Sequence, residues 1–245
     1  MKRALVTGAA TRVGRSIALE LARAGYDLAI HYRSSDSAAA ATAEEVRAVG
    51  TRAVTVSADL REAPACRKVV EESVRALGGL ELLVPSAAEF VRTPLDEVDE
   101  ERWQRALELN LSSALWLSLA AAPHLKTSHG CIVFITCSSA TAPFRNYLPY
   151  VVAKGGLRQL MSTLALELAP EVRVNAVAPG TVLPPPQMSG EAAARLTQST
   201  PLGRVGTPED VARAVRYLAE ASYVTGEEIR VDGGRALARV ERFDT

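Results

Sequence analysis

Short β-branched and apolar runs alternate along the chain with longer segments whose apolar positions recur at helical spacing. The runs predict strands at 3–7, 27–32, 53–57, 80–85, 131–136, 173–178 and 228–232. Helical spacing marks roughly 13–25, 37–49, 62–77, 99–121, 149–169 and 208–220. This alternation calls for an α/β protein with a doubly wound, seven-stranded parallel sheet, right-handed crossovers and helices on both faces. Thr207-Pro208-Glu209-Asp210 combines a capping residue, a first-position proline and first-turn acid, and Gly25 and Gly50 close two helices. Between 181 and 201 the alternation fails, at Pro184-Pro185-Pro186 and Ser189-Gly190. A loop of that length is more often functional than accidental, commonly a substrate lid.

Composition narrows the class. A chain of 245 residues suits one domain, 1–245, with a large core. Lys plus Arg equals Asp plus Glu, 28 each, so no net field attracts nucleic acid or an anionic membrane. Cys66, Cys131 and Cys137 lack metal-type spacing, and with His31, His124 and His129 scattered no metal site is expected. Met1-Lys2-Arg3 runs straight into a strand, with no signal-peptide pattern and no apolar stretch of spanning length. A cytoplasmic protein in a reducing compartment is expected.

Two stretches carry candidate chemistry. Residues 5–18 read as strand, glycine turn (Gly8, Gly14) and helix, an arrangement whose free N–H groups and helix dipole favour a pyrophosphate; the bland alternative is a structural turn. Tyr150 and Lys154 stand four residues apart, one turn of a helix. A cation fixed beside a phenol favours the phenolate, so Lys154 is expected to lower the Tyr150 pKa from its ordinary value near ~10; the bland alternative, which the spacing by itself favours, is a surface Tyr and Lys.

The motifs Thr7-Gly8-Ala9-Ala10-Thr11-Arg12-Val13-Gly14, Asp59-Leu60, Asn110, Tyr150-x-x-x-Lys154, Pro179-Gly180 and Val231-Asp232-Gly233-Gly234 occur in this order. The ordered set resembles the short-chain dehydrogenase/reductase family over essentially the whole chain, with Arg12 where the family's middle glycine would be. The resemblance implies a Rossmann-type fold and a nicotinamide cofactor held by Gly8, Arg12, Val13, Gly14, Tyr32, Arg33, Ser34, Asp59, Leu60, Ser86, Ala87, Lys154, Pro179, Gly180 and Val182. Charge selects the cofactor. An acid ending the second strand would repel a ribose 2′-phosphate, whereas here Tyr32-Arg33-Ser34-Ser35 offers a cation and hydroxyls. NADP(H) is therefore expected; the alternative for Arg33 is a solvated strand-end charge.

By the same resemblance Tyr150 is the proton donor, Lys154 holds the nicotinamide ribose, and Asn110 carries a water-linked proton relay, though Asn110 reads equally as an ordinary helix residue. Two departures stand out. The family's usual serine, thirteen residues before Tyr150, is Cys137, with Ser138 next to it as a substitute; and its Asn-Asn-Ala-Gly-like element reads Pro85-Ser86-Ala87-Ala88. The Arg12 turn, His31-Tyr32-Arg33-Ser34 and Phe90 resemble the pteridine and dihydromonapterin reductase branch, implying a flat heteroaromatic substrate against Phe90 and Arg12, with Phe90 equally readable as a core-edge aromatic. The expected function is hydride transfer from NADPH to a carbonyl or imine of a pteridine- or dihydrofolate-like small molecule. The alternatives are a general carbonyl or 3-oxoacyl reductase and an NADP-binding sensor with weak catalysis. Family members commonly form homotetramers through their long fourth and fifth helices; Trp103, Ala106, Leu107, Ala114 and Leu115 give the fourth an apolar stripe, for which the alternative is a core face.

Overall fold

A computed structural model of the protein describes residues 2–183 and 190–238, without the side chains of residues 192 and 193. Seven parallel strands form one sheet in the order β3-β2-β1-β4-β5-β6-β7. They are β1 (Lys2–Val6), β2 (Tyr26–Tyr32), β3 (Ala53–Ser57), β4 (Leu82–Val84), β5 (Cys131–Ile135), β6 (Arg173–Pro179) and β7 (Glu228–Val231). The order reverses between β1 and β4, which pair from Ala4 with Leu82 to Val6 with Val84. In open α/β sheets ligands bind in the crevice beyond the strands' carboxyl ends at such a reversal.

Strand periodicity sorts the core into two layers. Ala4, Val6, Leu28, Ile30, Val133 and Val177 point to one face; Leu5, Ala29, Ile132, Phe134, Val174 and Ala176 point to the other. The first face is covered by α1 (Arg12–Arg23), α2 (Asp36–Ala48) and α8 (Pro208–Glu220), through Ile17, Leu21, Val46, Val215 and Leu218. The second is covered by α3 (Ala63–Leu77), α5 (Ser113–Ser128) and α6 (Leu148–Glu167), through Val70, Leu77, Leu117, Leu125, Leu157 and Met161. Gly25 and Gly50 take left-handed φ of 84° and 101° as helix terminators, and the Thr207 N–H donates to Asp210 at 2.9 Å in a capping box.

Two expectations are corrected and one element is added. The single helix at 99–121 is two, α4 (Glu100–Leu107) and α5, joined by a π-helical turn at Glu108–Ser112. Asn110 explains the break: its side-chain Nδ2 donates to the Ala106 carbonyl at 3.0 Å, the group that a continuous α-helix would bond through the Asn110 backbone N–H. Within 181–201 a helix, α7 (Gly190–Gln198), replaces irregular chain; Pro184-Pro185-Pro186 and Ser189 lie outside the described residues. After β7, Arg235–Ala238 forms a short α9.

Candidate active site

The turn between β1 and α1 is built on contacts that exclude side chains. Gly8 has φ +63°, and a Cβ there would stand 2.9 Å from the Ala87 Cα; a Cβ on Gly14 would collide with the Gly8 carbonyl. Arg12 also lies in the left-handed region, at φ 54°, an uncommon conformation for a residue with a side chain. No side chain caps the N-terminus of α1 and its first turn holds no acid, so its leading N–H groups are left for an anion.

Two residues that the sequence motifs contain without assigning them a role fix this turn. Thr7, fully buried, accepts from the backbone N–H groups of Ser86 at 2.9 Å and Ala87 at 3.0 Å. It ties β1 to the segment after β4, where the family's side-chain amides are missing. His31, 2% exposed, accepts from the Gly8 N–H through Nδ1 at 3.2 Å, and its Nε2–H donates to the Ala58 carbonyl at 3.1 Å. Burial pushes its pKa down to about 4, so the ring is neutral and its tautomer is set by the Ala58 carbonyl, which can only accept.

A cavity of about 430 Å³ opens at the sheet reversal. It brings together Gly8, Arg12, Val13, Gly14, Arg33, Ser34, Asp59, Leu60, Ser86, Ala87, Phe90, Cys137, Tyr150, Lys154, Pro179 and Gly180. Tyr32 and Asn110 are outside its lining: Tyr32 donates to Asp36 at 2.8 Å, and Asn110, buried, accepts from the Glu89 N–H at 3.2 Å. A second cavity of about 430 Å³ adjoins the first, sharing Arg12, Val13, Phe90, Cys137, Tyr150 and Gly180 and adding Ser138, Phe144, Tyr147, Val182, Leu183 and Leu196. Phe90, 54% exposed, is no core-edge residue: it stacks on Tyr147 with centroids 4.3 Å apart and meets the Tyr150 ring edge-on at 4.9 Å. The Arg12 side chain has no hydrogen-bonding or ion-pair partner among the described residues.

Arg33 is half-exposed but ion-paired. Its guanidinium is 3.0 Å from Glu89, a carboxylate that also receives Arg61 at 2.6 Å and Arg105 at 3.2 Å. Glu89 was missed because residues 33, 61, 89 and 105 are far apart in sequence and meet only in the fold.

The expected electrostatics of the Tyr150-Lys154 pair are reversed. Burial, and then the neighbouring Cys137 to which it is hydrogen-bonded, holds the Tyr150 phenol well above its ordinary pKa. Lys154 is 3% exposed and its pKa falls to about 8, because burial disfavours the cation. Its Nζ donates to the Ile135 carbonyl at 2.8 Å and lies 5.8 Å from the Tyr150 ring centroid. Desolvation and Cys137, rather than the attraction on which the spacing argument relied, set both shifts. Cys137 accepts from the Ser139 N–H at 3.4 Å, so the thiol stands beside the phenol while Ser138 lines the second cavity. No group of His, Cys, Asp or Glu among the described residues is arranged to hold a metal, and no described helix is long and apolar enough to cross a membrane.

A family model described as enoyl-(acyl carrier protein) reductase matches residues 8–236. An uncharacterized oxidoreductase of Methylorubrum extorquens is 36% identical over 241 residues, covering 95% of this chain and 97% of the relative. A 3-oxoacyl-[acyl-carrier-protein] reductase of Staphylococcus aureus is 34% identical over 239 residues, covering 95% and 97%. A solved Sinorhizobium meliloti protein assigned to the short-chain alcohol dehydrogenases superposes with a TM-score of 0.91 at 32% identity, covering 96% of each chain. None of these relatives singles out the pteridine reductase branch. With the glycine turn, the sheet order and the Tyr150-Lys154 pair in place, these matches establish that the chain belongs to the short-chain dehydrogenase/reductase family, oxidoreductases that use nicotinamide cofactors.

Proposed function

We propose that the protein is an NADP(H)-dependent reductase in which hydride reaches the carbon of a carbonyl or imine while Tyr150 protonates its heteroatom. The observation that carries this reading is the convergence of the Gly8–Gly14 turn, Arg33, Tyr150 and Lys154 on one cavity. The cavity suits the cofactor: its α1 N–H groups are uncapped, and no side chain fills the floor at Gly8 and Gly14. Gly8, Val13 and Gly14 would hold the pyrophosphate, and Arg33, Ser34, Asp59 and Leu60 the adenosine end, with Arg12 facing the phosphates. Ser86, Ala87, Lys154, Pro179, Gly180 and Val182 would hold the nicotinamide riboside. Bound there, NADPH supplies the hydride.

The chain's own groups do the rest. A half-buried, desolvated phenol with a raised pKa keeps its proton until a stronger acceptor, the developing alkoxide or amide anion, stands beside it. That suits reduction. Lys154, a cation below about pH 8, spends one N–H on Ile135 and retains others for a ribose hydroxyl. The Asn110 amide is committed at both ends to backbone, so its part in any proton relay is to hold open the π-helical turn. Cys137 takes the place of the family's serine beside Tyr150, and Ser138 faces substrate from the adjoining cavity. The segment 181–201 would border the substrate, through Thr181, Val182, Leu183 and Leu196.

The adjoining cavity's apolar lining fits an acyl or cyclic ketone, the reading that the 3-oxoacyl reductase relative also favours. A pteridine-like substrate remains a second reading, supported by Phe90 and the unpartnered Arg12 in the same cavity. A screen of NADPH consumption over pterins, folates, quinones and acyl ketones separates them. We further infer a homo-oligomer, a tetramer by family habit, through α5 and α6, where Trp116, Leu119, Leu148 and Val152 are exposed. The cofactor assignment is tested by affinity: NADPH should bind far more tightly than NADH, with Arg33→Ala erasing most of the difference. Equal wild-type affinity for both would sink it.

A further inference from the structure

Strands β2 and β4 flank β1 in the sheet. Arg33 follows β2 and Glu89 follows β4, so their ion pair at 3.0 Å crosses the crevice above the end of β1, where the Gly8 turn begins. Both residues line the first cavity. Arg61, from beyond β3, and Arg105, from α4, converge on the same carboxylate at 2.6 Å and 3.2 Å. Glu89 is 22% exposed in its side chain, against 48% for Arg33. The carboxylate is the shared, more buried partner and Arg33 the more exposed one. Burial works against its charge, but hydrogen bonds from Arg105, Arg33 and Arg61 and the Arg61 charge prevail and hold its pKa below the usual range.

On the NADP(H) reading, Arg33 is the cation meant for a phosphate on the adenosine ribose, yet its guanidinium is already engaged by an internal anion. We propose that Glu89 is a nucleotide-selectivity residue, an internal carboxylate that competes with the ribose 2′-phosphate for Arg33 and so sets the affinity for 2′-phosphorylated nucleotides. Binding a 2′-phosphate requires Arg33 to exchange or share its partner, and leaves a second anion near the first. A nucleotide without that phosphate makes neither demand. Neutralising Glu89 therefore frees Arg33 and removes a repulsion for one nucleotide class only.

The test uses fragments that need no turnover: calorimetric titration of the full chain with adenosine 2′,5′-bisphosphate and with 5′-AMP. Glu89→Gln is expected to tighten the bisphosphate about tenfold and to change 5′-AMP less than about twofold. Unchanged or weaker bisphosphate binding, or an equal gain with 5′-AMP, overturns the proposal, since Glu89 would then merely orient Arg33 or hold the loop. If Glu89→Gln fails to fold, Glu89→Asp keeps the charge for Arg61 and Arg105 but shortens the reach to Arg33. It should give a smaller gain of the same sign, and no gain overturns the proposal. A wild type that prefers 5′-AMP, with Arg33→Ala neutral, refutes the NADP(H) reading instead, and the Glu89→Gln comparison is read separately.

Discussion

Replacing His31 by glutamine removes a titrating group from beneath the nucleotide turn while leaving amide atoms that can bond the Gly8 N–H and the Ala58 carbonyl. The ring is buried, and its folded pKa of about 4 lies below the ordinary 6.5. Between those values the unfolded chain binds a proton that the folded chain refuses. Its contribution to stability is therefore complete above about pH 6.5 and is lost as pH falls toward 4. At about 1.4 kcal/mol per pH unit the wild type should lose about 2 kcal/mol from this group between pH 7 and pH 4.5. The depressed carboxylates Asp27, Glu89, Glu209 and Asp210 lose their contributions only as pH falls through and below the carboxylate range, largely below this window. Urea denaturation in half-unit pH steps measures the slope. The wild type should steepen below pH 6.5 and His31→Gln should stay nearly flat to pH 4.5. Equal slopes would refute the assignment of a neutral, buried His31.

Two further substitutions test the surroundings. Thr7→Val keeps the shape but leaves the Ser86 and Ala87 N–H groups without their acceptor; about 2 kcal/mol of stability should be lost in urea denaturation, with cofactor affinity falling alongside. Cys137→Ser places a stronger hydrogen-bonding group beside Tyr150, and should raise turnover of a small ketone several-fold at unchanged NADPH affinity; a fall would mean that the thiol is adapted to another substrate.

How much of this was legible follows from range. Strand and helix periodicity placed the seven strands and the layers, because a buried parallel sheet writes continuous apolar runs into the sequence. The glycine turn and the Tyr150-Lys154 pair were visible as local spacings, although the groups they pack on and bond to lie far off in sequence. The π-helical turn was hidden because Asn110 breaks the ladder with a side-chain bond that leaves the apolar spacing intact. Glu89 and His31 depend on partners from other strands and helices. The sign of the Tyr150 shift depends on burial, which a four-residue spacing cannot report.

The central claim is that Tyr150 protonates the substrate as hydride arrives. NADPH consumption by Tyr150→Phe, followed with the best substrate of the screen and paired with a direct measure of NADPH binding, tests it most directly. Turnover should fall by roughly 10²–10⁴-fold while NADPH affinity stays within a few-fold of wild type. Turnover left unchanged by Tyr150→Phe would contradict the account.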